Sequence, residues 1–172
     1  MRVLVAVDGS PGSFLAVDQI GGLLRSGKDE VAIYCSPPDF RLRDRSVGPE
    51  VVLRARQALA DAIFEEARKK LPAAMQEGVE KILGTHDPRH GIVTAAEQWP
   101  ADLVAVGARG LGAFERLLLG SVSRAAVAML IPDAWFAVYL GSSPVLVEVV
   151  ERPNTALPRR FLGDVRAFCL AT

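Results

Sequence analysis

Short apolar, β-branched runs alternate with longer stretches of helical periodicity along most of this chain, and that alternation constrains its fold more than any other feature. Arg2 to Val7 is the first run, and it stops at Asp8-Gly9-Ser10-Pro11. A buried strand followed by a turn is expected there. Ser10 then serves as a helix N-cap with Pro11 at the first helical position. That helix should turn Phe14, Val17 and Leu24 inward and end between Gly21 and Gly27. Val31 to Cys35 is the second strand, closed by Ser36-Pro37-Pro38. Phe40 to Pro49 reads as a polar loop. Glu50 to Leu71 reads as a long helix with Val52, Ala55, Leu59, Ala62, Ile63 and Ala67 as its apolar stripe. Val79 to Leu83, Asp102 to Val106 and Val145 to Val150 complete the strands, and Ile92 to Trp99 is a short helix.

Such alternation implies right-handed βαβ crossovers. The expected fold class is α/β, an open doubly wound five-stranded parallel sheet with helices on both faces. The length of 172 residues suits one domain, placed at 1–150, with a C-terminal extension over 151–172. Ile131 to Gly141 reads as an insertion. Its aromatic and β-branched content favours an extra strand over Trp135 to Leu140 rather than a bent helix. In the tail, Phe161, Val165 and Phe168 have helical spacing.

Composition excludes several functions. Lys plus Arg equals Asp plus Glu at 20 each, and no basic tract stands out, so nucleic acid is not an expected partner. Half the residues are hydrophobic, so a disordered chain is not expected. Polar and helix-breaking residues interrupt the apolar stretch from Ala125 to Val150, which argues against a membrane span. The amino-terminal apolar run is too short for a signal peptide, and the expected compartment is the cytoplasm. Cys35 and Cys169 form no disulfide framework or metal pair. His86 and His90 flank Pro88 in a turn with no third ligand in view, so no metal site is expected there.

In doubly wound sheets, ligands bind beyond the carboxyl ends of the strands. The segments there are Asp8 to Ser10, Cys35 to Pro37, and Gly107 onward. Gly107 follows its strand directly, Gly110 comes next, and Gly120-Ser121 stands where a further helix should begin. Glycines allow close backbone approach to a ligand. Unpaired N–H groups at a helix start, here Ser121, Val122 and Ser123, favour an anion. The two serines can add hydroxyl donors, and Arg109 can add charge. A GxGxxG reading fails because Glu115 occupies the third glycine position, and no GK[ST] tripeptide supplies a P-loop.

Gly107-x2-Gly110-x9-Gly120-Ser121 resembles the nucleotide-binding signature of the universal stress protein family. Val3 to Asp8 is similar to that family's first strand. Tyr34-Cys35 stands where the family often has His-Val. Asp87-Pro88 and Ala101 to Val104 resemble its turn into the third helix and its fourth strand. The resemblance implies a sheet order of 3-2-1-4-5 and a homodimer joined near the last strand. It implies binding of ATP, or of ADP or AMP, with Mg2+ held mainly by the phosphates. Asp8, with Gly9 and Ser10, would lie by the ribose and adenine, and Cys35 would touch adenine. Gly107, Arg109, Gly110, Gly120, Ser121, Val122 and Ser123 would hold the phosphates. Two other functions compete with a regulatory nucleotide binder. One is a dimerisation module without ligand, and the other is a slow ATPase.

Overall fold

A computed structural model describes residues 1–37, 48–84, 87–107, 135–140 and 143–147, the last two stretches by backbone alone. Strands β1 (Arg2–Val7), β2 (Glu30–Cys35), β3 (Glu80–Leu83) and β4 (Leu103–Gly107) are joined by helices α1 (Pro11–Gly21), α2 (Pro49–Lys69) and α3 (Pro88–Gln98). Strands β5 (Trp135–Leu140) and β6 (Ser143–Val147) follow. The sheet order is β3-β2-β1-β4-β5-β6. Val3 sits level with Val31 on one side and Leu103 on the other, both in parallel register.

The alternation of side chains along a strand divides the core in two. Val3, Val5, Val7, Val31, Ile33, Cys35, Leu103 and Ala105 face α1 and α2, and pack with Val17, Ile20, Ile63 and Phe64. Leu4, Ala6, Ala32, Tyr34, Val104 and Val106 face α3, and pack with Ile92, Ala96 and Trp99. Central strands buried on both faces need continuous apolar sequence, which β1, β2 and β4 have. Strand β3 is an exposed edge, so Glu80 and Lys81 are tolerated there. At the amino end of the sheet, Trp99 Nε1 donates to Glu80 Oε2 at 2.7 Å, and the Arg2 guanidinium lies 4.5 Å from the Trp99 ring centre.

Four expectations require correction. The sheet is not wholly parallel: the extra strand expected over Trp135–Leu140 is present and runs parallel beside β4, but the last strand spans Ser143–Val147 rather than Val145 to Val150 and pairs antiparallel with it, the outermost of six strands among the described residues. Only two residues separate these strands in the sequence, too few for a parallel crossover, so the pairing is antiparallel. In α2, Ala55 and Ala62 are exposed, while Ala60, Ile63, Phe64 and Ala67 are buried. Alanine is compatible with either face, so it misplaced the stripe. Helix α1 ends at Gly21, within the expected range, so Leu24 packs against the core from beyond the helix rather than on its inner face. Helix α3 begins at Pro88, a turn before the expected Ile92, with Asp87 as its N-cap. The same cap-plus-proline signal starts α1 at Ser10-Pro11.

Candidate functional site

The carboxyl ends of β1 and β4 lie side by side, and the strand order reverses between them. From β1 the chain crosses to β2 on one side, while β4 lies on the other. This is the switch point at which doubly wound sheets bind ligands.

The turn after β1 is held by its own side chains. Asp8 Oδ1 accepts from Ser10 N at 3.0 Å, an Asx-type turn, and Gly9 takes φ +82°. Only glycine adopts that conformation without strain. Ser10 Oγ accepts from Ser13 N at 3.2 Å and caps α1. Ser13 Oγ donates to Ser10 O at 2.9 Å and accepts from Asp8 N at 3.4 Å. Ser13 therefore locks the strand end to the helix start, a role its sequence position gave no hint of. With Pro11 lacking an N–H and Ser13 N already capped, the start of α1 has little left to offer an anion.

Gly107 ends β4 directly against this turn. A Cβ there would fall 2.8 Å from the carbonyl carbon and oxygen of Gly12 and 2.9 Å from Ser13 N. Gly107 thus has a packing reason for being glycine: it lets the start of α1 lie on the end of β4. Gly12, unremarked in the sequence, is the other half of that contact. Arg109, Gly110, Gly120, Ser121, Val122 and Ser123 lie outside the described residues, as do the helix expected from Ser121 and the tail.

Cys35 is fully buried, its side chain packed in the core that faces α1 and α2. Its carbonyl accepts from Gly84 N at 2.7 Å. Burial, reinforced by the Asp8 carboxylate, pushes the Cys35 thiol from 9.0 up to about 12. The thiol is therefore protonated and shielded at neutral pH, and in native protein it should resist iodoacetamide at pH 8, as measured by peptide mass mapping. Because folding raises this value, the contribution to stability is intact below pH 9.0. It should decline as pH rises from there toward 12, a decline that Cys35→Ala would remove from the urea-unfolding profile.

Asp87 caps α3 by accepting from Arg89 N at 3.0 Å, and it pairs with the Arg89 guanidinium and with His90 Nδ1 at 3.1 Å. Those hydrogen bonds, from Arg89 first, hold its carboxyl well below the usual carboxylate range. His90 is thus engaged with a helix cap. His86 lies outside the described residues. Among the described residues, no three His, Cys, Asp or Glu side chains cluster to hold a metal, and no helix is long and apolar enough to cross a membrane.

An open α/β domain with its strand-end turn at the switch point defines the class: a doubly wound fold of the kind that binds small ligands at strand carboxyl ends. Residues 1–129 match the model of the universal stress protein family, and the chain belongs to that family. It is 27% identical over 130 residues to the universal stress protein YxiE of Bacillus subtilis, covering 71% of this chain and 88% of that one. It is 30% identical over 139 residues to the universal stress protein Sll1388 of Synechocystis, covering 71% and 87%. Among solved structures, a universal stress protein in complex with cAMP matches with a TM-score of 0.60 and 25% identity, over 83% of this chain and 98% of that chain. UspA from Lactobacillus plantarum matches with a TM-score of 0.64 and 20% identity, over 81% and 95%, a likeness of fold.

Proposed function

We propose that this chain is an adenine-nucleotide-binding universal stress protein with a regulatory rather than a rapid catalytic role. The observation that carries the reading is the Gly107 contact, which brings the end of β4 onto the Asp8-Gly9-Ser10 turn at the switch point. A solved relative in complex with cAMP supports the ligand class.

The phosphates of ATP, ADP or AMP would lie over the Gly107 to Ser123 segment, because α1 has spent its own start on the Ser10 cap. Asp8 would sit beside the ribose. Three or four hydrogen bonds to charged phosphate oxygens, each about 1.5–3 kcal/mol, are enough for micromolar affinity near 8 kcal/mol. Mg2+ would enter with the phosphates and be held mainly by them. The same reading includes a cytoplasmic homodimer, with β6 rather than β5 as the outer strand at that edge. It also takes the universal-stress-protein domain to be residues 1–150.

The test is direct. Purified protein, denatured and chromatographed, should release adenylate, and the stripped chain should bind ATP, ADP or AMP in calorimetry. Light scattering on the same sample should give twice the chain mass. Hydrolysis should run no faster than about 1 s⁻¹, the low end of enzyme turnover. No released adenylate and no heat of binding would overturn the proposal.

A further inference from the structure

Strand β6 brings a proline to the outer edge of the sheet. Its register with β5 sets Leu140 against Ser143, Tyr139 against Pro144, Val138 against Val145, Ala137 against Leu146 and Phe136 against Val147. In an antiparallel ladder such pairs alternate. One kind exchanges both N–H···O bonds, and the next exchanges none. Pro144 has no N–H, so the pair it forms with Tyr139 is of the second kind. The alternation then assigns the rest. Ser143, Val145 and Val147 turn their backbone groups toward β5, while Pro144 and Leu146 turn theirs outward.

Among the described residues, no strand pairs with β6 on that outward side. An open edge is a template for another strand. An antiparallel newcomer takes an N–H and a C=O from each outward residue. Leu146 can supply both, whereas Pro144 supplies only its carbonyl. The carbonyl of the incoming strand opposite Pro144 would be left without a donor, and an unpaired polar group in an interface is unfavourable. At Ser143, Val145 or Val147 a proline would have broken the ladder with β5, so its actual position obstructs only a foreign strand. The opposite edge is guarded by charge instead. Strand β3 is four residues long and carries Glu80 and Lys81. Both are tied down: Glu80 Oε2 accepts from Trp99 Nε1, and Lys81 Nζ donates to Glu65 Oε1 at 2.7 Å.

We infer that Pro144 closes the β6 edge to strand addition, so that a second copy of this chain cannot continue the sheet there. This closure does not depend on the nucleotide reading. It limits the homodimer proposed above to contacts other than a sheet shared across β6.

Amide hydrogen exchange on the native full chain, followed residue by residue by NMR, tests the assignment without a variant. The Val145 and Val147 amides should exchange at least roughly tenfold more slowly than the Leu146 amide. The pattern should hold whether light scattering gives one chain mass or two. Equal exchange at the three amides, fast or slow, would overturn the inference. Pro144→Val tests the residue itself, because it returns the missing donor in a residue suited to strands. The mass of this variant should rise with concentration over a range in which the wild-type mass is constant, at unchanged Tm. A variant with wild-type Tm and wild-type mass throughout would show that Pro144 is not what closes the edge. Release of adenylate, which tests the nucleotide reading, is separate from either outcome.

Discussion

Replacing Gly107 by alanine is expected to lower stability by about 1–3 kcal/mol, the usual cost of forcing extra carbon into a packed site. For a domain of this size, that is a fall in Tm of roughly 2–12 °C. The new methyl would meet Gly12 C and O at 2.8 Å and Ser13 N at 2.9 Å. These are backbone atoms, so no side chain can rotate away to relieve the overlap. The start of α1 would have to lift from β4. Asp8 and Ser10 are tied to Ser13 by hydrogen bonds, so the strand-end turn would shift with it and nucleotide affinity should fall too. Gly78→Ala is the control, since a Cβ at Gly78 meets nothing within 4 Å. It should leave Tm almost unchanged. A Gly107→Ala protein with wild-type Tm in calorimetric melting would show that the contact is not tight.

The second large effect is expected at Asp8, on binding. In the proposed site its carboxylate accepts from the ribose hydroxyls, and a hydrogen bond to a charged group is worth about 1.5–3 kcal/mol. Asp8→Ala should therefore weaken ATP by roughly 10- to 150-fold. It also removes the acceptor for Ser10 N, so some stability should go with it. Asp8→Asn separates the two contributions. Its amide oxygen can still accept from Ser10 N and keep the turn, while the charge is lost. Tm should stay near that of wild type, and ATP affinity should still fall by about tenfold. If Asp8→Asn binds ATP as tightly as wild type, the carboxylate is a turn residue and nothing more.

Gly107 shows how far sequence and structure each reach. In the sequence it is the first glycine of a spacing that resembles a phosphate-binding signature, and ligand approach is the natural reason for it. In the structure its missing Cβ is already accounted for by Gly12, which is remote in sequence and adjacent in space. The two reasons are compatible, because the packing sets Gly107, from which the proposed loop departs, against the turn that follows Asp8. Arg56 is a similar case. In the sequence it lies between the alanines of an assumed apolar stripe. Once α2 is rotated to bury Ala60 and Ile63, Arg56 reaches the Gly84 carbonyl at the carboxyl end of the sheet. Periodicity gave the helix but not its rotation, because alanine carries too little hydrophobic signal to choose a face.

The sequence by itself determined the α/β class, the four strands of the parallel centre, the cap at Ser10 and the family. Each of these depends on neighbours along the chain: an apolar run, a cap followed by proline, a glycine spacing. Only the tertiary structure decided that β6 runs antiparallel outside β5. Tertiary contacts also placed Gly107 against Gly12, put the Cys35 thiol inside the core, and buried Tyr34 and Ser36 side by side at the end of β2. Those outcomes depend on which residues meet across the sheet. Strand direction, steric contact and the satisfaction of a hydroxyl are properties of pairs brought together by folding, and no single stretch of sequence contains both members.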